Sequence, residues 1–127
     1  TIKKNYPETI FHGTDVGHQH ETTGQFYLEY LEANGLKNSE KYELTLEAIR
    51  QGERFYEKGD MKYREEKMFE NFVREYDKLN GEKIMAIYGS AHIKKDWLGI
   101  LMGITPMAYQ LKNHYGNIIY AKQLDRL

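Results

Sequence analysis

Lys83–Ile93, KIMAIYGSAHI, is the stretch on which the reading of the whole chain turns. Ile84, Met85, Ala86, Ile87 and Tyr88 run without polar alternation, the pattern of a central parallel strand covered on both faces. Gly89 stops the run, and Ser90, Ala91 and His92 follow at once. Reacting groups in open α/β sheets gather beyond the carboxyl ends of the strands, which makes His92 the first candidate site residue and puts Ser90 beside it. Most histidines are simply polar residues of surface loops, and the strand-then-glycine setting is what separates His92 from those.

Working outward, Thr9, Ile10 and Phe11 read as a short strand closed by His12, Gly13, Thr14 and Asp15, repeating the layout of an apolar run, a glycine and polar residues beyond. Asn117 to Ala121, NIIYA, reads as a third strand. Helical periodicity fills the intervals. A helix begins at Gln25 with Phe26, Tyr27, Tyr30 and Leu31 at helical spacing, and Asn34-Gly35 is its stop. Asn38 and Ser39 are N-cap residues for a second helix with a stripe of Tyr42, Leu46, Ile49 and Tyr56. Gly52 interrupts that stripe at a cost of about 1 kcal/mol relative to alanine, so another element is expected to approach closely there. Gly59 ends the helix and Asp60 caps the next, Met61 to Leu79, with Asn80-Gly81 as its stop. Pro106 opens a last helix that runs to about His114, and Tyr115-Gly116 is a turn. Trp97, Leu98, Ile100, Leu101 and Met102 form an apolar patch that reads as core cover. Strand, helices, strand, helix, strand implies parallel pairing through right-handed crossovers. The expected fold is therefore α/β, with a short, mainly parallel sheet of about three strands and several flanking helices. Residues 1–127 would be a single α/β domain or the C-terminal portion of a larger one.

On the helix Met61 to Leu79, placing residues at about 100° each puts Met68, Phe69, Phe72, Val73, Tyr76 and Leu79 on one side. Glu65 projects from the middle of that apolar face, and Arg64 and Asn71 share its border. A carboxylate facing a core costs several kcal/mol unless it is paired or hydrogen-bonded, so Glu65 is expected to have a partner. Its place in the first turns offers a second reading, in which it reaches water and favours the helix dipole.

Composition narrows the functional classes. Eighteen Lys and Arg against nineteen Asp and Glu create no net field for nucleic acid or an anionic membrane. No apolar run approaches the eighteen or so residues of a transmembrane helix. With no cysteine there are no disulfides, thiolate metal sites or Cys nucleophiles, and the compartment stays open.

Three features stand together: Gly13-Thr14-Asp15 at one strand end, an R-E-x-x-M-x-E-N run on a helix, and G-S-A-H after the next strand. The set resembles the erythromycin-esterase-like proteins and their broader ChaN-like, TraB-like and Tiki-like relatives, in which a helical R-[DE]-x-x-M-x-x-N run precedes a strand ending in a histidine motif. Arg64, Glu65, Met68 and Asn71 match the helical run, Asp15 the aspartate after a strand-end glycine, and His92 the closing histidine. MAYQLKNHYGNIIYA is similar to the family's closing helix, turn and strand, and the resemblance spans about Phe11 to Ala121. The family's earlier G-E-x-x-H segment has no match here. Either it lies upstream of Thr1, the reading preferred, or His12, His18 or His20 replaces it. The resemblance thus implies a hydrolase-like site, incomplete and inactive in this chain alone, that acts on an ester, lactone or related carbonyl compound.

In that site an imidazole moves protons near neutrality. His92 would activate water or polarise the substrate, Arg64 would bind the oxyanion or an acidic group, and Glu65 would set the charge of both. Asn71, Asp15 and Ser90 would contact substrate; G-S-A-H lacks the G-x-S-x-G elbow, which argues against a serine nucleophile. No cofactor is required by this reading. The alternative is a metal- or haem-binding module, with a divalent metal held by His18 and His20 beside Asp15 and Glu21; a third is a non-catalytic structural fragment. Expected partners are a small-molecule substrate, with no nucleic acid and no membrane, and self-association or pairing with a missing N-terminal segment through an unpaired sheet edge.

Overall fold

The computed structural model describes residues 1–94, 99 and 101–123. Helices make up its regular structure: α1 (Ile2–Asn5), a π-helical turn (His20–Gly24) running directly into α2 (Gln25–Ala33), α3 (Glu40–Lys58), α4 (Met61–Asp77), a 3-10 turn (Ser90–His92), α5 (Met107–Tyr115) and a 3-10 turn (Gly116–Ile118).

The local signals explain the helix ends. Ser39 Oγ accepts from Tyr42 N at 3.3 Å and starts α3. Gly59 closes α3 with φ +62° and donates to Phe55 O at 2.7 Å, a left-handed residue that glycine adopts without a Cβ clash. Asp60 Oδ1 then accepts from Tyr63 N at 3.0 Å and starts α4. Asn80 and Gly81 take positive φ values of 51° and 84° beyond α4.

Three apolar clusters hold the elements together. Leu28 and Leu31 of α2 meet Tyr42 and Ile49 of α3, with Leu46 beside them. Val16 lies between Phe55 of α3 and Tyr63 of α4. Met68 and Phe72 of α4 meet Met107 and Leu111 of α5, flanked by Phe69, Val73, Tyr76, Tyr88, Tyr115 and Ile119. The α4 wheel is thus oriented as its pattern requires. The α2 face is not the one expected, because Phe26, Tyr27 and Tyr30 are exposed and Leu28 takes the inner position.

The α/β expectation is corrected: no strand and no sheet occur among the described residues. Residues 82–89 form neither helix nor strand, and Met85 and Ile87 stand 83% and 80% exposed, so this is not a central strand covered on both faces. What covers its inner side is helical, since Tyr88 packs on the α4–α5 cluster. Ile10 and Phe11 are exposed as well, and the third expected strand starts as the 3-10 turn Gly116–Ile118 before extending. An apolar run specifies an extended backbone more readily than it specifies the neighbour that would complete a ladder. Of the apolar patch read after His92, Leu101 and Met102 are exposed, while Trp97, Leu98 and Ile100 lie outside the described residues.

Candidate functional site

Glu65 sits in the second turn of α4 and is 3% exposed. Burial there is tolerated because both carboxylate oxygens are engaged. Oε1 accepts from His92 Nδ1 at 2.5 Å, and Oε2 accepts from the Met107 backbone N–H at 2.7 Å. The second bond also meets one of the orphan donors at the start of α5 and places negative charge at a helix N-terminus. His92, 7% exposed, is delivered by the 3-10 turn, whose Gly89 O accepts from His92 N at 3.0 Å. With Nδ1 donating to Glu65, Nε2 is the nitrogen left to accept or hand over a proton. The Tyr88 ring stands edge-on to the imidazole, with centroids 6.4 Å apart.

A second polar centre forms around Asp15. Arg64, the residue before Glu65, leaves α4 in a different direction and donates through Nε to Asp15 Oδ1 at 3.2 Å and through Nη2 to Oδ2 at 2.8 Å. Its guanidinium carbon lies 5.3 Å from the centre of the Phe55 ring. Val16 N donates to Asp15 Oδ1 at 2.7 Å, and His18 Nε2 is 3.3 Å from Oδ2. Burial works against charge on Asp15, but hydrogen bonding to Arg64, its positive charge, the Val16 N–H and nearby His18 outweigh it and hold the carboxyl below the ordinary carboxylate range. The same hydrogen bond with Asp15 raises Arg64.

Thr14 joins the two centres. Its hydroxyl is hydrogen-bonded to the Tyr88 hydroxyl, and its carbonyl accepts from Asn71 Nδ2 at 3.4 Å. Asn71 is locked in a reciprocal amide pair with Gln51, Nδ2 to Oε1 at 2.9 Å and Gln51 Nε2 to Oδ1 at 3.2 Å. Burial raises Tyr88 above the usual phenol value, with the Thr14 bond acting in the opposite direction.

Of the residues singled out in the sequence, the structure joins Glu65 to His92 and Arg64 to Asp15 and His18. It does not give Arg64 a bond to His92. Ser90 is exposed in the same turn as His92. His18 and His20 both line a groove of about 370 Å³, but they do not converge. His18 Nδ1 bonds the Tyr56 hydroxyl, whereas the His20 ring stacks on Tyr56 at 5.4 Å and 11°. Arg64 Nη2 lies 3.5 Å from His18 Nε2, a cation where a metal would need a lone pair. Among the described residues no group of three or more His, Asp or Glu side chains is arranged to hold a metal ion.

Gln51, Thr14 and Tyr88 carry no site role in the sequence reading. For Gln51 a signal exists: it lies four residues before Phe55, on the buried stripe of α3, and is 3% exposed. Nothing in the pattern of Thr14 or Tyr88 marks their contact across 74 residues.

Compared with protein-family models, with curated proteins and with solved structures, the chain matches none of them.

The Asp15 geometry predicts an acid-sensitive clamp. A carboxyl whose folded-state pKa is depressed contributes stability above its unfolded pKa of about 3.9, and that contribution is lost as pH falls through the lower folded value. Asp15→Asn is expected to lose about 1–3 kcal/mol at neutral pH, because Arg64, only 15% exposed, is left without its counter-charge. The gap between wild type and Asp15→Asn in thermal unfolding should shrink as the pH falls below 4. A gap independent of pH would show that the pair does not titrate with folding.

Proposed function

We propose that His92 and Glu65 form the acid–base pair of a hydrolase-like site acting on an ester, a lactone or a related carbonyl compound. The observation that carries this reading is the His92 Nδ1 to Glu65 Oε1 hydrogen bond of 2.5 Å, with the second carboxylate oxygen fixed by Met107 N–H. Resemblance of the Arg64–Asn71 run and of G-S-A-H to the erythromycin-esterase-like proteins supports the same class of chemistry.

The imidazole takes a proton from water on Nε2 as the water oxygen bonds to the carbonyl carbon. It returns that proton to the leaving oxygen when the tetrahedral adduct collapses. Glu65 keeps the Nδ1 proton in place and offsets the positive charge of the transient imidazolium. Arg64, already committed to Asp15, acts here by holding the loop around Thr14–His18 rather than as an oxyanion donor. Asn71 holds the same loop through Thr14 O.

Hydrolysis of simple esters and lactones is the test, measured for this chain and for the longest natural protein that contains it. His92→Ala is expected to lower the rate by about 10²–10⁴-fold, the usual contribution of a positioned acid–base group. An unimpaired His92→Ala variant, or no turnover of any substrate in either protein, overturns the reading.

A further inference from the structure

We infer that the groove between the turn over residues 17–24 and α3 is a binding site for a small aromatic molecule that carries one hydrogen-bond donor, phenol being the simplest. The site uses neither His92 nor Glu65.

His20 is the residue that points to a ligand. Its side chain lines the groove and is only 10% exposed, and among the described residues no hydrogen-bond partner reaches its Nδ1. A buried polar atom left unpaired is costly, and native chains keep one where something else completes it. The ring is fixed in place: it stacks on Tyr56 at 5.4 Å and 11°, and its stem lies over Gly52 of α3, where an added Cβ would come within 2.8 Å of it. Nε2 lies 3.9 Å from Glu21 Oε1, which favours the proton on that nitrogen and leaves Nδ1 as a lone-pair acceptor. The partner it lacks is therefore a donor.

Other polar groups of the groove are already engaged. Thr23 Oγ1 donates to Gln19 Oε1 at 2.6 Å, and Thr45 Oγ1 donates to Lys41 O of its own helix at 2.7 Å. Gly17, Gly24, Ala48 and Ile49 add an uncharged lining, so the groove suits an apolar body with a single O–H or N–H. Its volume of about 370 Å³ stands at the low end of ligand pockets, which favours one ring over a larger molecule. From His20 to Gly24 the turn is π-helical, a geometry that recurs at functional sites. Nδ1 has essentially no solvent-exposed surface, so a ligand reaches it by shifting this turn, and the glycines at its two ends absorb the backbone change.

Titration of the isotope-labelled 127-residue chain with phenol and with anisole, followed by amide chemical shifts, tests this. Phenol is expected to give saturable shifts centred on residues 17–24 and the facing turns of α3, with a dissociation constant on the order of 1 mM for a ligand of this size. Anisole has the same ring with a methyl ether in place of the hydroxyl, and should bind at least about 10-fold more weakly for want of one hydrogen bond to a buried acceptor. His20→Phe keeps a ring against Tyr56 and removes Nδ1, so it should reduce phenol to the affinity of anisole. Ala48→Leu, at an exposed position of α3 beside the groove, fills the space without weakening the helix and should abolish binding of both. It decides the matter should His20→Phe fail to fold. No saturable shift with phenol, the result if water alone serves Nδ1, overturns the inference; so do shifts centred elsewhere, equal affinity for phenol and anisole, or phenol binding that survives Ala48→Leu.

Discussion

Replacing Glu65 by alanine is expected to destabilise the fold by about 3 kcal/mol, the cost of leaving buried hydrogen-bond donors without their acceptor. Two donors lose their acceptor at once: His92 Nδ1 and the backbone N–H of Met107 at the start of α5. Both are buried, so water does not readily replace the carboxylate, and the space it leaves lies beside Met107, itself 1% exposed. Glu65→Gln should be much milder, about 1 kcal/mol. The amide oxygen can still accept from Met107 N–H, and the amide NH₂ can donate to Nδ1 if the imidazole moves its proton to Nε2. The two substitutions separate stability from chemistry. Glu65→Gln should leave most of the stability yet put the proton on the wrong nitrogen for His92 to act as a base. Urea unfolding of both variants checks the first part; a Glu65→Ala cost under about 0.5 kcal/mol would mean that the carboxylate is not held as described. A double-mutant cycle with His92→Ala should return a coupling energy of about 0.5–3 kcal/mol, as residues in one network do.

Glu65 also marks how far the sequence could be read. A carboxylate at the centre of an apolar helix face has few ways to exist, so its need for a partner followed from periodicity and the cost of burial. The caps at Ser39 and Asp60 and the stops at Gly59 and Asn80-Gly81 were legible for the same reason, because each is decided within one turn of chain. That the expected sheet would be missing among the described residues was not legible in this way. Ile84–Tyr88 carries the composition of a buried strand, but a strand needs a neighbour from elsewhere in the chain, and here Tyr88 packs on the α4–α5 cluster while Met85 and Ile87 remain outside. Arg64 shows the same limit at the site. Its place on the border of the α4 stripe was readable, whereas its bidentate bond to Asp15, 49 residues earlier, depends on how the loop before α2 returns over α3 and α4. The exposure of Phe26, Tyr27 and Tyr30 is a matter of which stripe α2 turns inward, and Leu28 with Leu31 wins that position.

Gly52→Ala should destabilise the chain by about 2 kcal/mol, against the usual sign for this substitution in a helix. In an open helix the exchange gains about 1 kcal/mol from propensity. At this position an added Cβ would lie 2.6 Å from Gly17 O and 2.8 Å from both Cβ and Cγ of His20. The nearest of those atoms is backbone, which cannot rotate aside, and the His20 atoms are the stem of a ring stacked on Tyr56. Relief therefore requires the turn from Gly17 through the π-helical His20–Gly24 to lift from α3. Overpacking of this kind costs about 1–3 kcal/mol and more where backbone must move, which exceeds the propensity gain. Lifting the turn would also disturb the Asp15–His18 contacts at its start, so the loss should be accompanied by faster amide exchange from Val16 to Gly24 while α4 and α5 keep their protection. Denaturant unfolding together with hydrogen exchange measures both. A stabilised Gly52→Ala variant would show that the turn does not pack on α3 at this distance.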